Sequence, residues 1–280
     1  MMDAFRDNIE VLPSFFDNKG KEYHAFRLES NFHPALEWMR FFTSFGVDHY
    51  NDKRVINNYP WKNTATYEQD ITSLIPSETQ EIWVGVFIGN YHKGGHIVSL
   101  DLEFFPAFDS EKQNDQWLLP LFNTVNIMEM SGQQYPRLFN NDTLEIDFEL
   151  PDKLEDLQLL FTTTGHGGWG GGDEFNPRLN RIFIDGKKVF EIVPWRTDCA
   201  KYRLYNPASG NFSNGMSSSD FSRSNWCPAT STPPYFIPLN ELQAGKHKMS
   251  IIIDQGEDEG SGFNAWSISG VLTANKSLED

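Results

Sequence analysis

The chain has 280 residues, enough for one large β-domain or two of ordinary size. Its formal net charge of −16 argues against DNA, RNA and anionic membranes as partners, because each of these needs a basic patch. Neutral ligands such as glycans stay open, and aromatic residues, 14% of the chain, include Trp and Tyr that can lie half-buried or face a ligand.

No stretch approaches the roughly 20 apolar residues of a membrane span. The opening residues, Met-Met-Asp-Ala-Phe-Arg, carry no signal-peptide core, so any export signal is expected to have been removed or never present. Along the chain, Glu37-Trp-Met-Arg40 opens a strand-like run over 41–47; alone it reads as a core Trp beside surface charges. Val98, Leu100, Leu102 and Phe104 alternate with Ser99, Asp101 and Glu103, which predicts an antiparallel strand with one buried face. The polar segment 109–116 marks a composition change, so a boundary is placed there, with domains expected at 1–112 and 113–280. Leu144-Glu-Ile-Asp-Phe-Glu-Leu150 alternates without a fault. A turn is expected between Asp152 and Leu157, then a strand to Thr163.

The segment from His166 to Glu174 has five glycines in nine residues. Such a loop lets backbone approach a ligand and can expose Trp169 and Glu174. No Lys-Ser/Thr and no helix follow it, so it is not a phosphate loop; a flexible surface hairpin is the alternative reading. Arg181 to Phe190 reads as a hairpin turning at Asp185-Gly186. Residues 200–234 form a long irregular stretch rich in Ser, Asn and Pro. Within it, Asp220-Phe-Ser-Arg-Ser-Asn-Trp-Cys-Pro228 sets an arginine fork and a stacking Trp beside a cysteine, although a loop packed over the end of a sandwich would also explain it. Residues 240–245 look like a short helical turn. Met249, Ile251 and Ile253, then Trp266, Ile268 and Leu272, complete the alternating strands. The pattern is all-β and suggests sandwiches.

Two cysteines, Cys199 and Cys227, leave a single bridge and two free thiols equally open. His92 and His96 flank Lys-Gly-Gly, which argues against helical spacing, and no Cys cluster has zinc spacing. No metal and no cofactor are expected.

Taken together, three of these segments resemble the bacterial peptide-N-glycosidases of the PNGase F type. Those enzymes hydrolyse the glycan–asparagine amide bond. The resemblance implies two antiparallel jelly-roll domains side by side with the site between them. The glycine-rich loop with Asp173-Glu174-Phe175 is similar to the family's loop with an active-site glutamate, which falls on Glu174; Phe175 stands where relatives have tryptophan. Arg223-Ser-Asn-Trp226-Cys227-Pro228 is similar to the family's Arg-x-x-Trp-Cys-Pro, and the resemblance implies a Cys199–Cys227 disulfide closing that loop. Glu37-Trp38-Met39-Arg40 aligns with the family's Glu-Trp-Asp-Arg, and Arg54 to Trp61 and Lys93 to Glu103 keep the register. Here Met39 takes the place of the family's principal catalytic aspartate, and a second family glutamate is absent near Ile88–Asn90.

The resemblance therefore implies Glu174 and Arg223 as catalytic groups, with Met39 at the aspartate position. Glu37, Trp38, Arg40, Trp169, Phe175 and Trp226 would hold the glycan. Amide hydrolysis needs a positioned carboxylate and an oxyanion donor. A thioether can do neither, so Asp48 or Asp173 could serve instead, or the protein could bind N-glycans without cleaving them. A different specificity on the same plan is a third reading; the copper-ligand histidine pattern of peptide-amidating monooxygenases is absent. N-glycans, glycopeptides or denatured glycoproteins are the expected partners, the protein is expected to be a monomer, and the family points to a secreted or periplasmic location. Sequons stand at Asn141, Asn211 and Asn275.

Overall fold

In the computed structural model, the described residues are 12–30, 32–50, 60–75, 81–89, 95–105, 115–125, 137–167, 172–209, 211, 217–256 and 264–276. Twelve strands run through them: β1 (Ser14–Phe16), β2 (Glu22–His24), β3 (Arg40–Phe41), β4 (Asp115–Asn123), β5 (Leu144–Leu150), β6 (Leu154–Gly167), β7 (Asn180–Ile184), β8 (Lys187–Ile192), β9 (Ser231–Thr232), β10 (Tyr235–Pro238), β11 (Gly245–Ile253) and β12 (Asn264–Lys276). One short helix, α1, spans Leu138–Asn141.

Two four-stranded antiparallel sheets, β10-β6-β12-β4 and β5-β11-β7-β8, face each other. The expected all-β sandwich is therefore present. The alternation of β5 is realised residue by residue: Leu144, Ile146, Phe148 and Leu150 are buried, and the acids between them are exposed. Met249, Ile251 and Ile253 meet them from β11, and Trp266, Ile268 and Leu272 close the core from β12. Each such side chain contributes about 1.5–3 kcal/mol by leaving water.

The expected hairpin is present as a two-residue turn. Ile184 pairs with Lys187, while Asp185 and Gly186 both take positive φ, the geometry that favours Asp-Gly. The Asp152–Leu157 turn is confined to 152–153, because β6 starts at Leu154.

The N-terminal residues attach to this sandwich by two routes. Tyr23 and Phe26, from and just after the β1–β2 hairpin, lie in the same core as the long strands. A second segment covers the outer face of the first sheet: Leu36, Trp38, Ile71 and Leu74 pack on Leu160 and Val271. This explains why β6 and β12 are buried on both faces near their middles.

Two expectations differ from the structure. The run 41–47 keeps strand geometry only through Phe41, which pairs with β9, and then turns through Gly46 and Asp48 at positive φ. Val98, Leu100, Leu102 and Phe104 are exposed and carry no strand. Alternation creates a face, but a strand also needs a ladder partner, and none of the described residues pairs with this segment. The boundary segment 106–114 lies outside the described residues.

The hairpin turn is tied to β11 by His247. Its ring nitrogens lie 2.7 Å from Asp185 Oδ2 and 2.8 Å from the Gln243 carbonyl oxygen. Burial works to lower the imidazolium pKa, but these two hydrogen bonds and the Asp185 charge outweigh it and hold His247 above its ordinary value. A raised folded-state pKa adds stability below the unfolded value and loses it as pH rises through the folded one. The melting-temperature difference between wild type and His247→Asn should therefore be larger near pH 5.5 than near pH 8.5; a difference independent of pH would contradict the assignment.

Candidate active site

β6 ends in Thr162-Thr-Thr-Gly-His-Gly167, and everything of chemical interest gathers around these residues. Gly165 sits where no side chain fits. A Cβ there would lie 2.7 Å from Ser224 Cβ, 2.8 Å from Trp266 Cζ2 and 2.9 Å from the Asp173 carbonyl oxygen. The close approach lets Gly165 N–H donate to the Ser224 carbonyl and its own carbonyl accept Trp226 Nε1–H at 3.0 Å.

Ser224 in turn fixes the loop that follows β6. Its hydroxyl donates to the Asp173 carbonyl at 2.6 Å, and its N–H donates to the Glu174 carbonyl at 2.9 Å. The Asp173 carboxylate is fully buried and accepts from Arg178 Nε at 2.7 Å and Gly256 N–H at 3.0 Å. Burial pushes its pKa up against those bonds. Asp173 thus anchors the loop rather than facing the site.

Glu174 meets Arg223 Nη1 at 2.7 Å. The Arg223 guanidinium is fully buried and donates as well to the Ser218 and Phe221 carbonyls. Three rings surround it, Trp226 at 4.4 Å, Phe175 at 5.1 Å and Phe45 at 5.7 Å, in cation–π range. Burial raises the Glu174 carboxyl to about 7, with the Arg223 charge and the Gly167 N–H pulling the other way. Burial also lowers Arg223 to about 10, against the attraction of Glu174 and Asp220. Both shifts have the same cause: desolvation exceeds what the pair regains.

Cys199 and Cys227 form the disulfide. It closes the long irregular stretch directly beside Trp226. Ser218–Asp220 is a 3-10 turn with a Ser217/Asp220 capping box, and this presents the Ser218 carbonyl to Arg223.

The N-terminal predicted residues form a second arginine–carboxylate pair. Arg40 Nε and Nη2 donate to the two Glu37 oxygens at 2.9 and 2.7 Å. Nη1 donates to Thr164 Oγ1 and to the Ser267 carbonyl, and the Ser269 hydroxyl donates to Glu37. Trp38 and Met39 are half-buried, and Glu37, Trp38, Met39 and Arg40 line a shallow, partly open cavity of about 20 Å³.

The structure therefore brings Glu174, Arg223, Phe175 and Trp226 into contact, and connects Glu37 and Arg40 to them through Thr164 and His166. Asp48 lies on the turn after β3, and Trp169 lies outside the described residues. Sequence reasoning missed Phe42, stacked on Trp226 at 4.4 Å, along with Phe45, Thr164 and Ser224. The run Phe41-Phe-Thr-Ser-Phe45 was the one visible hint. Among the described residues no group of three His, Cys, Asp or Glu is placed to hold a metal.

Residues 134–273 match the family model described as peptide-N-glycosidase F, C terminal, and residues 1–104 match its N-terminal counterpart. Two solved structures of PNGF-II, in P21 and C2 crystal forms, are each 43% identical to the chain, with TM-scores of 0.84 and 0.85 over 99% and 100% of it. The chain spans about half the length of those proteins, 51% and 52%. A solved peptide-N(4)-(N-acetyl-β-D-glucosaminyl) asparagine amidase is 20% identical with a TM-score of 0.46, over 60% of this chain and 54% of its own. No curated protein matches the sequence.

Two substitutions test the scaffold of this site. Gly165→Ala should cost about 1–3 kcal/mol by overpacking and displace the Asp173–Glu174 backbone, read by denaturant melts and by loss of the Trp226 near-ultraviolet signal. Replacing Cys199 and Cys227 together by Ser should cost about 3–4 kcal/mol, the closure entropy of a loop of this length; unchanged stability would show that the loop is ordered without the bridge.

Proposed function

Because the chain belongs to the peptide-N-glycosidase F family, we propose that it hydrolyses the amide bond between an N-glycan and asparagine, with Glu174 and Arg223 at the reacting centre. The observation that carries this reading is a half-buried carboxyl with its pKa near neutrality, 2.7 Å from a fully buried guanidinium. Such a carboxyl can both take and give a proton at working pH. Water attacks the carbonyl carbon as Glu174 accepts its proton, and Arg223 stabilises the negative charge on the oxygen. The carbon–nitrogen bond then breaks, Glu174 returns the proton to the departing nitrogen, and Asp and a 1-amino glycan remain. Trp226 and Phe175 supply stacking faces for the sugars. We take the Glu37–Arg40 pair, joined to Thr164 and flanked by Trp38, as the N-terminal side of the same site.

Met39 favours a second reading, because its thioether can neither accept nor deliver a proton. On that reading the protein binds N-glycans without cleaving them. The proposed division into units 1–112 and 113–280 puts the two arginine pairs on opposite sides of the boundary. The disulfide supports an oxidising compartment outside the cytoplasm, and we take the working form to be a monomer acting on glycopeptides or denatured glycoproteins.

Incubation with a denatured N-glycoprotein should convert the glycosylated Asn to Asp, seen as a mass shift with release of the glycan. No turnover at high protein concentration, together with measurable chitobiose binding, would select the second reading. Glu174→Gln should reduce turnover by about a hundred- to ten-thousand-fold, and Met39→Asp should increase it. The rate should rise with pH through about 7 as Glu174 ionises. Stability should move the opposite way. A carboxyl whose folded pKa is raised adds stability below its unfolded value and loses it as pH rises through about 7. Wild type should therefore lose stability relative to Glu174→Gln over that range.

A further inference from the structure

His166 has no task in the mechanism above, yet it stands between the two arginine pairs. Its Nε2 lies 2.9 Å from Thr164 Oγ1. That oxygen accepts from Arg40 Nη1 at 3.1 Å, and Thr164 is fully buried. An arginine only donates. Of the two partners, only His166 can take the single Thr164 hydroxyl proton, so Nε2 is the acceptor. A neutral imidazole that accepts at Nε2 carries its proton on Nδ1.

The surroundings keep the ring neutral. Burial, followed by the charges of Arg40 and Arg223, pushes its pKa down to about 3. The nearby carboxylates, Glu37 and Glu174, are each held by one of those arginines. Aromatic neighbours hold the plane, with Trp226 at 5.3 Å and Phe42 at 5.7 Å between ring centroids. The ring is half-buried, and the Arg223 charge acting on it belongs to the guanidinium that pairs with Glu174. A neutral donor of fixed tautomer therefore stands beside Trp226 and close to the arginine that binds the reacting carboxyl.

We propose that His166 is a further ligand-contacting residue of this site, locked as the Nδ1–H tautomer by the chain Arg40–Thr164–His166, and that it donates Nδ1–H to a carbonyl oxygen of the chitobiosyl-asparagine linkage. The proposal rests on the glycan–asparagine reading of the site. It separates into a tautomer and a contact, and each has its own test.

For the tautomer, nitrogen-15 NMR of the ring should show a protonated Nδ1 and a bare Nε2, unchanged between about pH 5 and 8. A protonated Nε2 would overturn the proposal. For the contact, affinity for a synthetic peptide carrying N,N′-diacetylchitobiose on Asn is measured by calorimetry in the Glu174→Gln background, where turnover cannot interfere. His166→Asn places an amide N–H where Nδ1–H was and gives up the Thr164 bond. His166→Gln places its amide at the Nε2 position, keeping that bond and giving up the donor. Asn should bind within about threefold of the parent and Gln about tenfold more weakly. The reverse order, an equal loss in both, or no loss in either would confine His166 to supporting Thr164. If the peptide binds but wild type never hydrolyses it, the amidase reading fails and the order of the two variants still decides the contact.

Discussion

The burial of the Arg223 guanidinium is the constraint around which the site is built. A fully buried cation must find counter-charge and acceptors nearby, or the fold bears several kcal/mol of unrelieved desolvation. Its acceptors come from three places: Glu174 on the loop after β6, the Ser218 carbonyl on a capped 3-10 turn, and the Phe221 carbonyl nearby. None of these segments is a strand of the sandwich. Each must be held by something else, and much of the irregular structure between β8 and β9 does that work. The disulfide, the Ser217 capping box, the Arg203–Asp220 ion pair and the reciprocal backbone pair of Arg196 and Arg223 all stiffen the same stretch.

The pair formed in this way is poor as a source of stability and useful as a device. Glu174 is driven toward neutrality and Arg223 away from its usual strength, so mutual attraction does not recover what burial takes. A surface pair of the same residues would leave both charges intact and neither reactive. Asp173, the adjacent residue, shows the contrast. It is buried more deeply, and Arg178 and the Gly256 N–H hold it still. Two neighbouring carboxylates thus divide the labour, one anchoring the loop and the other left open to a proton.

How much of this was legible in the sequence follows from the range of the forces involved. The alternation of β5 and the Asp185-Gly186 turn were readable because period and turn chemistry act over a few residues. Glu174, Arg223 and Trp226 were readable as a motif, although nothing local says that residues 49 positions apart share a 2.7 Å contact. Gly165 looked like one more glycine of a rich segment, and its necessity comes from the Asp173 carbonyl and from Ser224 and Trp266, the latter two distant in sequence. Thr164 was one of three threonines in a strand, and only the arrival of Arg40 from the N-terminal segment separates it from its neighbours. The Val98–Phe104 alternation misled for the complementary reason: a face was written into the sequence, but no ladder partner stands beside it among the described residues.

Met39 sharpens what the site can do with protons. The Glu37–Arg40 pair is bidentate, and its guanidinium is committed to Thr164 and Ser267 as well, so both Glu37 oxygens are engaged. His166 is held neutral by burial and by two nearby arginine charges, and Asp173 is anchored through Oδ1 by Arg178 and Gly256. Around the end of β6, Glu174 is the carboxyl that burial raises to about 7 while it pairs with Arg223. Two-carboxylate chemistry divides acid and base between partners; here a single group near pKa 7 must serve in both roles in turn, or serve in neither and mark a binding site. The His166 ring beside it suits either case, because a neutral imidazole can orient a carbonyl without competing for the Glu174 proton.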